Sequence, residues 1–464
     1  DAAETHDLNK RHWAMADLLS ADAAASPAVR KTIRARARYE CANNSYANGI
    51  VRTLAFDLIG TTPRLQLKTD SPEVNTEVER LFHRWFKSSG MADKVRTGDM
   101  ARRRDGEAYL IERQNDKLPT AVKLDYALIE CDRVETPDAS LLSRRNATDG
   151  IVFDEAGNPT EYHILRDHPG DVGVWSAVAG YGQYDRVPAE RVIHWFRPER
   201  AEQRRGVSEV APALELFALL RRYSLAVVSA AESVANASMV AQSDASDVEE
   251  TEADAEAMDV FELERNMVTV LPKGYKLAQM KAEQPSATYA EFKKAVLAEI
   301  ARCMDVPFNI AAGDSSGYNY SSGRLDHQTY FKMIEVERER VSRIVLDRVF
   351  AAWAREAVLI SGYLSNKAKG VLGSTDVPDR RWMFDGRGHV DPAKEANAQK
   401  TRLESLMTTF ADEYAEQGQD WERQLEQIAR EQTLMNRLGI TRAQAASAMA
   451  PAGHGGGGDA EDDQ

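Results

Sequence analysis

Residues 305–326 read DVPFNIAAGDSSGYNYSSGRLD, a polar, glycine-bearing loop between two runs of helical periodicity. Upstream, Phe292, Val296, Ile300 and Met304 recur every four residues, and Asp305-Val306-Pro307 ends that run because proline has no amide to continue the ladder. Downstream, Phe331, Ile334, Val341, Val345, Val349 and Trp353 predict one helix from about residue 322 to 363, which at ~1.5 Å per residue would reach about 60 Å. Between them, Gly313, Gly317 and Gly323 admit backbone angles that other residues resist. Tyr318, Asn319, Tyr320, Ser321 and Ser322 add uncharged hydroxyls and amides. Two alternatives stay open: Ser322 caps the following helix or offers its hydroxyl outward, and the tyrosines pack on that helix or are presented to a partner.

The rest of the chain reads as mixed α+β and helix-rich. SPAVRKTIRARARYECANNSYANGIVRTLAFDLIG, beginning at Ser26, predicts a helix, an Asn-rich break and a second helix ending at Gly60. Its basic residues Arg30, Lys31, Arg34, Arg36 and Arg38 read as solvated surface or pairing between subunits. RLQLKT, GEAYLIER, AVKLDYALIECDRVET, RVIHWFRPE and RRWMFD read as strands. PEVNTEVERLFHRWFKSSG has helical spacing through Val74, Val78, Leu81, Phe82 and Trp85. GIVFDEAGNPTEYHIL predicts a hairpin turning at Gly157-Asn158-Pro159, and NMVTVLPKGYKLAQM a second turning at Pro272-Lys273-Gly274. Helices are expected from about Val207 to Ala237, from near Ser286, and over 392–449 with breaks at Gly418 and Gly439.

A net charge of −14 looks like general acidity, but it is local. Ten acids lie between Asp244 and Glu264 with no base among them, and four more lie between Asp459 and Asp463, so the remainder of the chain is neutral. Such a block is either a solvated face or a docking surface for a basic partner. The Gly-rich acidic end, GHGGGGDAEDDQ, buries too little to order itself. Cys41, Cys131 and Cys303 lack metal or redox spacing and read as reduced core thiols. The longest apolar run is cut by Arg221 and Arg222, so no membrane helix is expected. Asp1 and the lack of a leader pattern suggest that the numbering starts after an absent or processed leader.

Five stretches carry a resemblance. They are RARARYECANNSYANGIVRTLAFDLIG, RDGEAYL at 104–110, VIHWFRPERAEQRRGVSEVAPAL at 192–214, the opening stretch, and HVDPAKEANAQKTRLESLMTTF at 389–410. Together they resemble the lambda-like portal proteins of tailed bacteriophages. The opening stretch is the most specific, with Val-Pro, a short apolar run, Gly-Asp, then Asn-Tyr-Ser-Ser before a helix.

The resemblance implies the phage portal fold, with wing, two-helix stem, clip and crown, forming a ring of commonly twelve copies at one capsid vertex. Double-stranded DNA would enter under a terminase motor and later leave through the channel, without sequence-specific contact. On this plan residues 1–25 are an N-terminal arm, 26–215 wing, 216–240 and 286–310 the stem helices, and 241–285 the clip. Residues 311–323 are the tunnel loop, 324–391 the wing's long helix and strand, 392–450 the crown and 451–464 a flexible tail. The channel-loop residues would be Asp314, Ser315, Ser316, Gly317, Tyr318, Asn319, Tyr320, Ser321, Ser322 and Arg324. Asp247, Glu249, Glu250, Glu252, Asp254 and Glu256 would dock the terminase large subunit or a head-tail adaptor. Arg197, Arg200, Arg204 and Arg205 would pair with neighbouring subunits, with DNA contact the alternative. Further partners would be the major capsid or scaffold protein, with no membrane and no cofactor. The protein would assemble in the bacterial cytoplasm and reside in the virion.

Two rival classes are weaker. A packaging ATPase needs a GxxxxGK[ST] loop, which is missing; GYGQYD lacks its lysine and its strand-to-helix context. His83, His163, His168 and His194 show no ligand-like repeat and read as surface or core histidines. A helical scaffold or adaptor accounts for the charges and long helices but not for the loop.

Overall fold

The computed structural model describes residues 10, 11, 13, 14, 16–136, 147–171, 183–236, 240–243, 275–278, 287–374, 378–386 and 392–444. The architecture is helix-rich with small antiparallel sheets, and the chain divides into two compact units. Residues 1–58, 97–112 and 127–344 form the first; 59–96, 113–126 and 345–464 form the second.

In the first unit the predicted helix break falls at Asn44, between helices Pro27–Asn43 and Ser45–Ile59. Asn44 closes one helix by giving its amide to Glu40 O (2.8 Å) and opens the next by accepting from Tyr46 N (3.0 Å). Its side chain competes with the helical ladder, which is why the break sits there. Ala37, Cys41, Ile50 and Leu54 from this pair meet Phe217 and Leu220 of Leu214–Asn236, Val296 and Ile300 of Ala287–Cys303, and Tyr330 and Ile334 of Tyr320–Val341 in one core. Tyr223 and Phe292, with centroids 4.4 Å apart, join the Leu214–Asn236 and Ala287–Cys303 helices.

A second core in this unit lies under sheet. Glu107–Ile111 pairs antiparallel with Val192–Phe196, placing Tyr109 opposite His194. Strands Ala147–Thr148, Ile151–Phe153, Pro159–Leu165 and Tyr184–Pro188 run as an antiparallel meander. The hairpin at Gly157 forms as expected: Gly157 takes φ +85°, and Asp154 accepts from Asn158 N at 2.7 Å. The other expected hairpin, turning at Pro272-Lys273-Gly274, has its first strand and its turn outside the described residues, among which Tyr275–Ala278 pairs with Val240–Ser243. Residues 244–274, the acidic block included, lie outside the described residues.

The second unit is built on aromatic rings. Phe82 of Pro72–Ser88 makes edge contacts with Phe350 (5.4 Å) and Trp353 (5.3 Å) of Asp347–Leu359, and with Trp382 (5.8 Å) of Arg380–Met383. Trp85 donates its indole N–H to Leu124 O at 2.9 Å, so this buried ring leaves no unmet donor, whereas the equally buried Trp353 finds no acceptor among the described residues. Arg64–Leu67 pairs antiparallel with Arg380–Met383. Helices Pro392–Glu404, Phe410–Glu416 and Trp421–Leu438 follow, and Gly418 and Gly439 interrupt or end them in the left-handed region, as predicted.

The long helix predicted to 363 is shorter and less regular. It begins at Tyr320, passes through a π turn at Ser342–Leu346 and ends at Leu359. Ser342 donates its hydroxyl to Arg338 O at 2.7 Å, a side-chain bond of the kind that disturbs the helical ladder where the turn widens. Cys41 and Cys131 are buried free thiols, and Cys303 is half-buried and free. Burial pushes the Cys41 thiol up to about 11.

Candidate channel loop and the ionic centres beside it

The loop is short and held at both ends. Asp305 enters the left-handed region at φ +54°, and Val306 N reaches back to Ala301 O at 3.0 Å, closing the Ala287–Cys303 helix. Pro307 then starts Phe308–Ala312, whose Ala311 is buried in the core. Gly313 ends that helix at φ +66°. The next helix begins at Tyr320, so the loop proper is residues 313–319. Its far side is pinned by Tyr330, which donates to Asp57 Oδ2 at 2.6 Å, and by Arg338, whose Nη2 donates to Asp57 O at 2.9 Å.

Within the loop, Asp314 accepts from Ser316 N at 2.8 Å and Tyr318 N donates to Ser315 O at 3.1 Å. The Ser316 N–H holds the Asp314 carboxyl below its usual range, so this group stays ionised. Residues 313–317 and Asn319 are exposed, whereas Tyr318 is half-buried. A Cβ on Gly323 would lie 3.4 Å from Tyr318 Cδ1, which shows that this ring packs on the helix. Of the two alternatives for the tyrosines, packing therefore holds for Tyr318.

Three loop expectations are corrected. Tyr320, Ser321 and Ser322 belong to the first helical turn, and Asn319, not Ser322, precedes it: Gly323 N donates to Asn319 O at 3.0 Å. Of the three glycines only Gly313 uses a positive φ; Gly323 is helical. Arg324 is exposed on the helix start.

The arginines expected at subunit contacts behave differently from one another. Arg205 is 1% exposed, and its Nη2 meets Glu107 Oε1 at 2.6 Å. It cannot face another subunit from there, so this expectation is overturned: a guanidinium that deep must be neutralised within its own chain. Arg204 lies 4.6 Å over the Phe153 ring and donates to Thr148 Oγ1 at 3.2 Å. Arg200, exposed, donates to Leu19 O at 3.0 Å, and Arg197 is 3.8 Å from Asp305 Oδ2. The acids Asp247, Glu249, Glu250, Glu252, Asp254 and Glu256 lie outside the described residues.

Two buried ionic centres were not foreseen. Glu107, on the strand after Gly106, receives Arg205, His194 Nε2 (3.0 Å), Tyr109 OH (3.1 Å) and Gly206 N (3.0 Å). Burial alone would raise its carboxyl, but Arg205 and the His194 hydrogen bond outweigh that and hold it well below its ordinary value. Nearby, Asp99 binds Arg102 (2.9 Å) and Arg103 (2.7 Å), and Glu209 binds the same two at 2.6 and 3.2 Å. Arg102 also reaches Glu337 at 3.0 Å. Arg30 and Arg34, read from sequence as solvated or intersubunit, are buried too: Arg30 pairs with Asp149, and Arg34 with Asp132 at 2.8 Å.

RDGEAYL and the RRGVSE of the third stretch are thus clasped together. Gly106 takes φ +99°, and a Cβ there would meet Val207 C at 2.7 Å, so the backbones touch where glycine alone fits. The available signal was the like design of the two stretches, each placing arginine, glycine and glutamate close together.

Among the described residues Glu130, Asp132 and His168 lie close enough to suggest a cation site. His168 Nε2 is 2.9 Å from Glu130, and Arg38 holds Asp132 at 2.6 Å, so the acids are already paired. No described helix is long and apolar enough to cross a membrane.

The sequence profile described as phage portal protein, lambda family, matches residues 8–338. The chain belongs to this family. It is 27% identical over 435 residues to the probable portal protein of Halomonas phage phiHAP-1, covering 88% of this chain and 82% of that one. It is 22% identical over 482 residues to the portal protein of Escherichia phage N15, covering 94% and 90%. Among solved structures it is similar to a chain from the neck of a native gene transfer agent particle, with TM-score 0.48, 16% identity, and coverage of 83% and 91%. An HK97-family phage portal protein from Corynebacterium diphtheriae matches with TM-score 0.29 and 13% identity, over 80% of this chain and 97% of that one.

Proposed function

We propose that twelve copies of this portal protein close into a ring at one capsid vertex, and that double-stranded DNA passes through the ring during packaging and ejection. The observation that carries the reading is family membership across residues 8–338, which includes the entire loop. The role is structural, with no reaction of its own.

In this reading the Leu214–Asn236 and Ala287–Cys303 helices are the stem, and the segment between them is the clip. Residues 26–215 and 324–391 supply the wing and 392–450 the crown, and residues 313–319 face the duplex. The loop's chemistry supports that task. From Gly313 to Gly323 it holds no Lys or Arg, so it offers hydroxyls and amides without the counterion release that makes cationic contacts adhesive. Asp314, ionised, repels phosphate. Repeated around a ring, such a surface confines a duplex and lets it slide.

The acids from Asp247 to Glu256 dock the terminase large subunit or the head-tail adaptor, the capsid or scaffold protein contacts the outer edge, and Arg197 and Arg200 pair with neighbouring copies. Assembly takes place in the host bacterium and the ring remains in the virion.

Electron microscopy of the purified chain should show rings with a central hole; a monomer or dimer under all conditions overturns the ring. Deleting residues 315–318 should leave rings intact while lowering the DNA content of assembled particles, and unchanged content removes the loop's role. Neutralising Asp247 to Glu256 should weaken terminase or adaptor binding; undiminished binding returns the block to a solvated face.

A further inference from the structure

The second unit carries a cleft of about 320 Å³ lined by Thr61, Thr62, Arg64, Leu65, Glu79, His83, Lys87 and Arg423. Its charge is one-sided. Arg64, Lys87 and Arg423 converge on His83, whose protonation is disfavoured first by burial and then by those three cations. Arg64 and Lys87 have no ion pair among the described residues. The one acid in the lining is Glu79, which binds Arg423 at 2.6 Å and which burial pushes up to about 7. Arg423 also lies 3.9 Å from Asp420, so the uncompensated positive charges on this concave surface are those of Arg64 and Lys87.

We infer that the acidic run Asp459–Asp463 of this same chain docks in the cleft, its carboxylates against Arg64, Lys87 and the exposed side of Arg423. Three observations choose this occupant. Its charge is complementary: Asp459, Glu461, Asp462 and Asp463 follow one another with a single intervening alanine. It is tethered to the cleft, because Arg423 lies at the start of the Trp421–Leu438 helix, and the chain continues from there to the run. It also reaches. The helix carries the chain about 22 Å beyond Arg423 at ~1.5 Å per residue, and residues 445–458 span up to about 45 Å at ~3.3 Å each. Gly455 to Gly458 let that connection double back. A tether of this length sets an effective concentration of about a millimolar, enough for a weak multi-charge contact to be mostly formed.

The test uses the full chain. Lys87 acetylation by a succinimidyl ester, read by mass spectrometry, should be about fivefold slower in the native chain than in a D459N/E461Q/D462N/D463N variant at about 0.02 M salt. The difference should vanish near 0.5 M salt, where screening is nearly complete. Lys367, an exposed amine of the same unit, serves as reference and should react equally in both. A zero-length carbodiimide should join Lys87 to a carboxylate within 459–463, and R64Q should reduce that cross-link. Equal Lys87 rates together with no cross-link overturn the proposal. So does protection of Lys87 that depends only on added duplex DNA, which would assign the cleft to phosphate instead.

Discussion

Both units have apolar cores, but they treat a buried carboxylate in opposite ways. In the first, a strand carboxylate, Glu107, is fully buried and held ionised by Arg205 and His194. In the second, Phe82 is equally buried among Phe350, Trp353 and Trp382, and the buried carboxylate Glu79 is driven towards its neutral form. Partners compensate the buried charge in one place, and burial drives its neutralisation in the other. The difference predicts opposite responses to pH. Glu107, depressed in the fold, contributes stability that is complete above its ordinary 4.5 and lost as pH falls below it. Glu79, raised to about 7, favours the fold while protonated and opposes it as pH climbs from 4.5 through 7.

The largest effect should come from Glu107→Ala, which leaves Arg205 buried without its partner and should cost about 4 kcal/mol in denaturant unfolding. An effect under about 1 kcal/mol would mean that water replaces the carboxylate, and the contrast between the units would fail. Phe82→Ala should cost about 3 kcal/mol through the cavity it opens, by the same amount at about pH 5 and pH 8. A pH-dependent loss there would show that the aromatic core is coupled to Glu79. Glu79→Gln should gain about 1 kcal/mol at pH 8 and nothing at pH 4, read as thermal unfolding at each pH. A loss at pH 8 would mean that the ion pair with Arg423 outweighs burial. Smallest, Ser315→Ala with Ser316→Ala should change stability by less than about 0.5 kcal/mol, since both side chains are exposed and both ends of the loop are anchored elsewhere.

The apolar half of this contrast was legible in the sequence. Phe82 and Trp85 stand at helical spacing with Val74, Val78 and Leu81, and Asn44, Gly418 and Gly439 marked helix ends by their own backbone chemistry. The ionic half was not, because a buried arginine and a solvated one are written alike. Arg205 meets Glu107 across 98 positions, and Arg34 meets Asp132 across the same separation. The loop was found, but its end was misplaced: Tyr320, Ser321, Ser322 and Gly323 are poor helix formers, and the Tyr330 and Arg338 anchors lie further along the helix that overrides them. The pairing of Val240–Ser243 with Tyr275–Ala278 was not legible either, since nothing in a strand announces a partner more than thirty positions away.

The contact between Gly106 and the Gly206–Val207 backbone carries a constraint of its own. A saturation scan should find Gly106 and Gly206 blank together, intolerant even of alanine, although neither bears a side chain or a charge. Their loss would unseat Glu107 from Arg205 without altering either residue, so lesions of the same kind as Glu107→Ala would map to positions that a survey of side-chain chemistry passes over.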